Sequence, residues 1–337
     1  MPRYVLHVGP HKTGSTYLQT AVTRLRLKLL ERGIAYPESW GSIHGQYPLV
    51  ERMRAGTDDK LRAEFAALNR SDLNVVLLSS EIFSTLPDER LQALHELMEG
   101  NPVTVVFYCR RWAEVLPSAW RESVKHREML TFPEYLTRYV LNPDISPVVN
   151  HAIDLSRYAR IFGPKSLRLV SYNHLASAGG DLFGHFCRTF LDWPDPPKVE
   201  VGRVNQSLSL VDSETLRALN AFSWNLPMPE RPVLLYRYMG MKESLPLAPV
   251  FDLMRKSVHS ALISEDSQTM RAIHQDILGR FGAGLVEPCP GRTLFTPKDT
   301  HVPFVTQSYL MDPEAMQLLR QAHATLLAAE EPQRQRG

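Results

Sequence analysis

The stretch Tyr4-Val5-Leu6-His7-Val8-Gly9-Pro10-His11-Lys12-Thr13-Gly14-Ser15-Thr16-Tyr17-Leu18 constrains the chain more than any other. A short apolar run leads into a loop bounded by Gly9 and Gly14. Leu18, Val22, Leu25 and Leu29 then recur at the spacing of one helical face, and Gly33 stands where a left-handed C-terminal cap is expected. Strand, loop and helix in that order aim the helix N-terminus at the loop. The unpaired backbone N–H groups of residues Thr13 to Thr16, the positive end of the helix dipole, the hydroxyls of Ser15 and Thr16 and the charge of Lys12 then converge on one small volume, which suits a phosphate-like anion.

The frame Gly9-x-x-x-x-Gly14 has the spacing of a nucleotide-binding P-loop, but Ser15 follows Gly14 where that loop requires lysine. The lysine stands inside the loop as Lys12, which weakens the case for a Mg²⁺-dependent NTPase, whose metal-binding hydroxyl follows directly on its lysine. The segment His11-Lys12-Thr13-Gly14-Ser15-Thr16 resembles the 5′-phosphosulfate loop of the sulfotransferases that use 3′-phosphoadenosine 5′-phosphosulfate (PAPS), commonly written P-K-T-G-T-T. Here His11 occupies the family's proline position and Pro10 sits one place earlier. The resemblance implies that His11, Lys12, Thr13, Gly14, Ser15 and Thr16 hold the 5′ end of PAPS.

A second apolar run, Asn74 to Glu81, suits a parallel strand buried on both faces, with Glu81 at its carboxyl end. Ligands of open α/β sheets bind outside that edge, where a carboxylate is placed to accept a proton from an attacking hydroxyl or amine. Ser80-Glu81 also resembles the strand end that carries the sulfotransferase base. His44 is the competing base, and a glutamate that merely caps the next helix is the structural alternative. A third run, Val103 to Tyr108, ends in Cys109-Arg110-Arg111, with Ser118 eight residues beyond Arg110. Strand, Arg and Ser at that spacing resemble the family's 3′-phosphate site. A guanidinium takes two phosphate oxygens and a hydroxyl a third. An arginine paired with Glu114 and a serine inside a helix would be the plainer reading. Arg203-Val204-Asn205-Gln206-Ser207 is similar to N-x-S segments near the nucleotide in bacterial sulfotransferase-like chains, which makes Arg203 a candidate phosphate ligand; entry to the following helix is the alternative.

Composition narrows the partners. In 337 residues, 44% hydrophobic and 22% charged usage is ordinary for a globular chain, and a net charge of +2 offers no basic field for nucleic acid. Cys109, Cys187 and Cys289 have neither disulfide-framework nor zinc spacing, and no metal is expected. The sequence shows no signal-peptide pattern and no apolar run near ~18 residues, which reads as a cytoplasmic protein without a membrane span. That agrees with the cytosolic and bacterial sulfotransferases rather than the membrane-anchored Golgi ones.

Apolar spacing predicts helices over 47–54, 58–69, 87–99, 131–140, 150–162, 181–191, 212–222, 249–263 and 266–281, and a strand over 167–172. The resemblance covers Tyr4 to Ser207. It implies an α/β fold, a three-layer P-loop NTPase-like sandwich with a central parallel sheet and a helical C-terminal appendage. The expected division is a PAPS-binding core over 1–225, a helical, proline-rich extension over 226–329 that sets acceptor specificity by analogy, and a disordered tail over 330–337. The implied activity is sulfuryl transfer from PAPS to a hydroxyl or amine, on a glycan or other small-molecule acceptor. A P-loop kinase or NTPase and a non-catalytic nucleotide-binding module are the alternatives, and the oligomeric state stays open.

Overall fold

Runs of β-branched and apolar residues build the sheet of the computed structural model, which describes residues 1–42, 45–70, 72–200 and 208–329. His44, Arg203, the segment through Asn205, Gln206 and Ser207, and the 330–337 tail lie outside the described residues. Two units emerge. The first comprises Met1–Arg111, Ser146–Val204 and Ser267–Pro297; the second comprises Trp112–Ile145, Asn205–Asp266 and Lys298–Gly337.

In the first unit the strands are β1 (Arg3–His7), β2 (Ile34–Ala35), β3 (Val75–Ser79), β4 (Val103–Cys109) and β5 (Leu167–Ser171). The second unit supplies β6 (Val258–Ile263) and β8 (Thr300–Val305), and β7 (Leu285–Val286) returns to the first. Six strands form one sheet in the order β2-β3-β1-β4-β5-β7, and every neighbouring pair is parallel. All carboxyl ends therefore lie along one edge. Such a sheet is covered on both sides, which is why its strands read as continuous apolar runs; all five residues of β3 are buried. On one face Val5, Val75, Leu77, Val106, Tyr108 and Val170 pack with residues of α1 (Ser15–Arg24) and of the helix Leu182–Phe190. On the other, the Tyr4 ring stacks on Phe65 of the helix Asp59–Asn69 at 6.2 Å, and Phe107 meets the edge of His151, ahead of the helix Ala152–Phe162, at 5.3 Å. Helix, sheet and helix are the three layers expected of the α/β fold.

The helix predicted to run on toward Gly33 is interrupted by a single turn residue, Leu25, before the helix Arg26–Leu30. Backbone bonds from Leu25 N to Ala21 O (3.0 Å) and from Leu29 N to Leu25 O (2.9 Å) carry the ladder across.

The second unit holds the helices Trp112–Lys125, Phe132–Leu141, Leu210–Ala221, Ala248–Lys256 and Pro313–Ala328 beside the antiparallel β6/β8 ribbon. Within it, buried Glu214 accepts from Arg217 Nη2 at 2.7 Å and from the Tyr309 hydroxyl at 2.5 Å. Strand β6 corrects the expected 249–263 helix, which stops at Lys256. Met254, Val258 and Leu262 keep four-residue spacing and so read as one helical face. Pairing of Val258–Ile263 with a strand about 40 residues later overrides that local pattern. Among the described residues no helix is long and apolar enough to cross a membrane.

Burial in the first unit makes its stability sensitive to acid. Burial pushes His7 down to about 4, against the pull of Glu81, and pushes His151 down to about 4 as well, while it lifts the Asp154 carboxyl to about 6. An imidazole kept neutral in the fold takes up its proton near ~6.5 once unfolded. The unfolded chain then binds more protons throughout the window between those values, and folding weakens as pH falls through it. Asp154 acts in the opposite sense, holding its proton more tightly when folded, but it is one group against two. Urea unfolding at about pH 5 should show stability lower by on the order of 3 kcal/mol than at about pH 7.5. An unchanged midpoint would mean that the two imidazoles reach water in the fold.

Candidate active site

The anion loop leaves β1 at Val8 and is pinned to β4 at its root, with Val8 N donating to Val106 O (3.1 Å) and Tyr108 N to Gly9 O (2.9 Å). Backbone φ is positive at Gly9, Lys12 and Gly14 (94°, 69° and 83°), so the loop turns back on itself three times within six residues. Gly14 is the N-cap of α1. Having no side chain, it makes no capping bond, and the first turn of the helix carries no acidic residue of its own. The first backbone bond of the helix runs from Leu18 N to Gly14 O at 3.1 Å. Thr13 is buried and its hydroxyl donates to Pro10 O at 2.7 Å, so this side chain braces the loop.

Arg110 follows β4 directly, as the sequence predicts. Its Nη1 donates to Lys12 O at 2.6 Å, and its guanidinium lies 4.9 Å over the Tyr172 ring, one residue beyond β5. The next residue is held as well, with Arg111 N donating to Asn173 Oδ1 at 2.8 Å. Arg110 belongs to the first unit; Ser118 belongs to the second, half-buried in the helix Trp112–Lys125 directly after Pro117.

Glu81 sits two residues past β3 and is 7% exposed. The loop comes close because Gly9 is a glycine: a Cβ built there would lie 3.0 Å from Glu81 Cβ. The Tyr47 hydroxyl donates to Glu81 Oε1 at 2.9 Å, Gln19 Nε2 donates to Oε2 at 2.8 Å, and His11 Nδ1 stands 3.9 Å from Oε1. Behind it, His7 Nδ1 and Ser79 Oγ are 2.8 Å apart. The carboxyl ends of β1, β3, β4 and β5 thus bring Lys12, Glu81, Arg110 and Tyr172 to one edge, at the uncapped start of α1. Chemically, the arrangement sets a helix N-terminus, a loop that carries a cation and a carboxylate side by side, which suits an anion and a proton acceptor.

Gln19 and Tyr47 escape the sequence reading. Gln19 stands beside the apolar face of the first helix and is fully buried. Its one sequence signal is its place a helical turn after Ser15. A cleft of about 600 Å³, lined by Arg3, Thr104, Arg168, Asp192 and Leu285 among others, opens at the opposite, amino-terminal edge of the sheet. Its Arg3 is engaged by Asp192 at 2.6 Å and by Phe190 O at 2.8 Å. None of the loop residues lines it. Among the described residues no group of three or more His, Cys, Asp or Glu side chains is placed to hold a metal ion.

No family model matches the chain, and no curated protein matches it. Among solved structures it is similar to a sulfotransferase from Alicyclobacillus acidocaldarius, at 15% identity and a TM-score of 0.36, over 60% of this chain and 87% of that one.

Proposed function

We propose that the chain is a PAPS-dependent sulfotransferase that moves a sulfuryl group to a hydroxyl or amine of a glycan or other small-molecule acceptor. The observation that carries this reading is the placement of the Glu81 carboxylate against an anion loop whose helix end has neither a capping side chain nor an acidic first turn. In the proposed step the acceptor oxygen or nitrogen forms a bond to sulfur. The bond from sulfur to the 5′-phosphate oxygen breaks, that oxygen keeps the electron pair, and the acceptor's proton passes to Glu81. Lys12 and the N–H groups of Thr13 to Thr16 stabilise the charge growing on the leaving phosphate. Arg110 takes the 3′-phosphate; Ser118, paired with it by the sequence motif, falls in the other unit.

The sequence supports sulfuryl over phosphoryl transfer through Ser15, which stands where a P-loop NTPase needs its lysine. The test is calorimetric titration in EDTA with 3′,5′-bisphosphoadenosine, and separately with ATP and Mg²⁺. Tight binding of the bisphosphate without metal is the expected result; binding of ATP only with Mg²⁺ would turn the reading toward a kinase or NTPase. Binding of the bisphosphate without any turnover of PAPS would leave a nucleotide-binding module.

Arg110→Ala should narrow the preference for 3′,5′-bisphosphoadenosine over adenosine 5′-monophosphate by roughly 10- to 100-fold, the worth of a hydrogen bond to a charged group. Because the substitution also releases the Lys12 carbonyl, the ratio of the two affinities is the measurement that matters. An unchanged ratio would remove Arg110 from the 3′-phosphate.

A further inference from the structure

We propose that Gln19 and Tyr47 are positioning residues for the Glu81 carboxylate, with Gln19 fixing that carboxylate to the helix whose first turn receives the anion. The proposal rests on the sulfuryl-transfer reading and extends it to residues that the anion motif does not include.

An ionised carboxylate only accepts hydrogen bonds, so the two groups hydrogen-bonded to it must donate, while His11 Nδ1 stands farther off at 3.9 Å. The Tyr47 hydroxyl serves Oε1 and the Gln19 amide serves Oε2, at 2.9 and 2.8 Å. One donor on each oxygen fixes the plane of the group and leaves each oxygen a further lone pair for the acceptor's proton. Requiring Nε2 to face Glu81 also settles which way the Gln19 amide points. Its Oε1 is then buried with no hydrogen-bond partner among the described residues. An apolar side chain would fill this fully buried helix position without a stranded carbonyl. A glutamine there breaks the rule of polar satisfaction, and such breaks concentrate at functional sites.

The surroundings are shaped to the same end. A Cβ at Gly45, where φ is +89°, would lie 2.6 Å from Gln19 Cδ and 2.9 Å from Ser79 O, so glycine lets the amide approach the chain closely. Ser79 N in turn donates to Gln46 Oε1 at 2.8 Å, fastening this segment to the end of β3 just ahead of Glu81. Gln19 is four residues after Ser15, on the same face of α1. One rigid helix therefore presents the anion-binding hydroxyl and, a turn further on, the amide that holds the base. The Gln19 amide thereby ties the base to the helix that receives the leaving group.

The test uses the full chain with PAPS as donor and water as acceptor, following release of inorganic sulfate, alongside calorimetric titration of 3′,5′-bisphosphoadenosine. Gln19→Leu and Tyr47→Phe should each lower kcat by on the order of 10- to 100-fold and leave bisphosphate affinity within about twofold. Neither should lower it further in a Glu81→Gln background, because residues that act through Glu81 have nothing to add once it is gone. Tyr47→Phe removes one hydroxyl from a half-buried ring and keeps the proposal testable should Gln19→Leu fail to fold. Losses that add in full to that of Glu81→Gln, or that fall equally on bisphosphate affinity, would show a merely structural role and overturn the proposal. Variants that turn over PAPS as the unmodified chain does would overturn it alone. An unmodified chain that neither binds the bisphosphate nor releases sulfate would overturn the sulfuryl-transfer reading and this proposal together.

Discussion

Lys12→Ala is expected to lower PAPS turnover by on the order of 10²-fold or more while changing 3′,5′-bisphosphoadenosine affinity far less. The reason lies in when the charge appears. In the proposed step, as the bond from sulfur to the phosphate oxygen opens, negative charge gathers on that oxygen, and a cation already in place would stabilise it without reorganising. The Lys12 backbone is held in the loop. It lies in the left-handed region at φ 69°, its carbonyl is fixed by Arg110 at 2.6 Å, and the side chain is half-buried. The backbone N–H groups remain after the substitution and keep most of the ground-state binding. Equal losses in turnover and affinity would mean that Lys12 merely holds the nucleotide.

Glu81→Gln is expected to cost as much or more, about 10²- to 10⁴-fold in kcat, the range over which a positioned general base acts. Glutamine keeps the shape and removes the capacity to accept the proton. The fold should tolerate it, since the Tyr47 hydroxyl can turn from donor to acceptor if the new amide nitrogen faces it, while the new carbonyl still accepts from Gln19. Bisphosphate binding should persist. Retention of activity within a few-fold would pass the role of base to His44, the competing candidate in the sequence.

What the sequence made legible follows from how local each signal is. The strand runs at Tyr4 to Val8, Asn74 to Ser79 and Val103 to Tyr108 announce a buried parallel sheet because each carries its own apolar pattern. The loop announces itself through Gly9 and Gly14, and Glu81 and Arg110 through their places at strand ends. Gln19 and Tyr47 could not be found this way. They reach Glu81 only after strands and helices have packed, from 62 and 34 residues away along the chain. Strand β6 was hidden for a related reason, since its partner β8 lies beyond an intervening helix and its own residues fit a helical face equally well. Arg110 and Ser118, adjacent in the motif, fall into different units at a boundary that no change of composition marks.

Strand β7 has a practical consequence for anyone seeking a minimal fragment. A recombinant piece ending near residue 225 would keep the loop, Glu81 and Arg110, yet it would lose Leu285–Val286 and bare the outer edge of β5 at Leu169 and Val170. Both residues are fully buried in the intact chain. A row of unpaired amides beside apolar side chains is a template for another chain, so the piece would precipitate while its chemistry was still encoded. Any fragment that keeps the sheet whole has to carry Leu285–Val286 along.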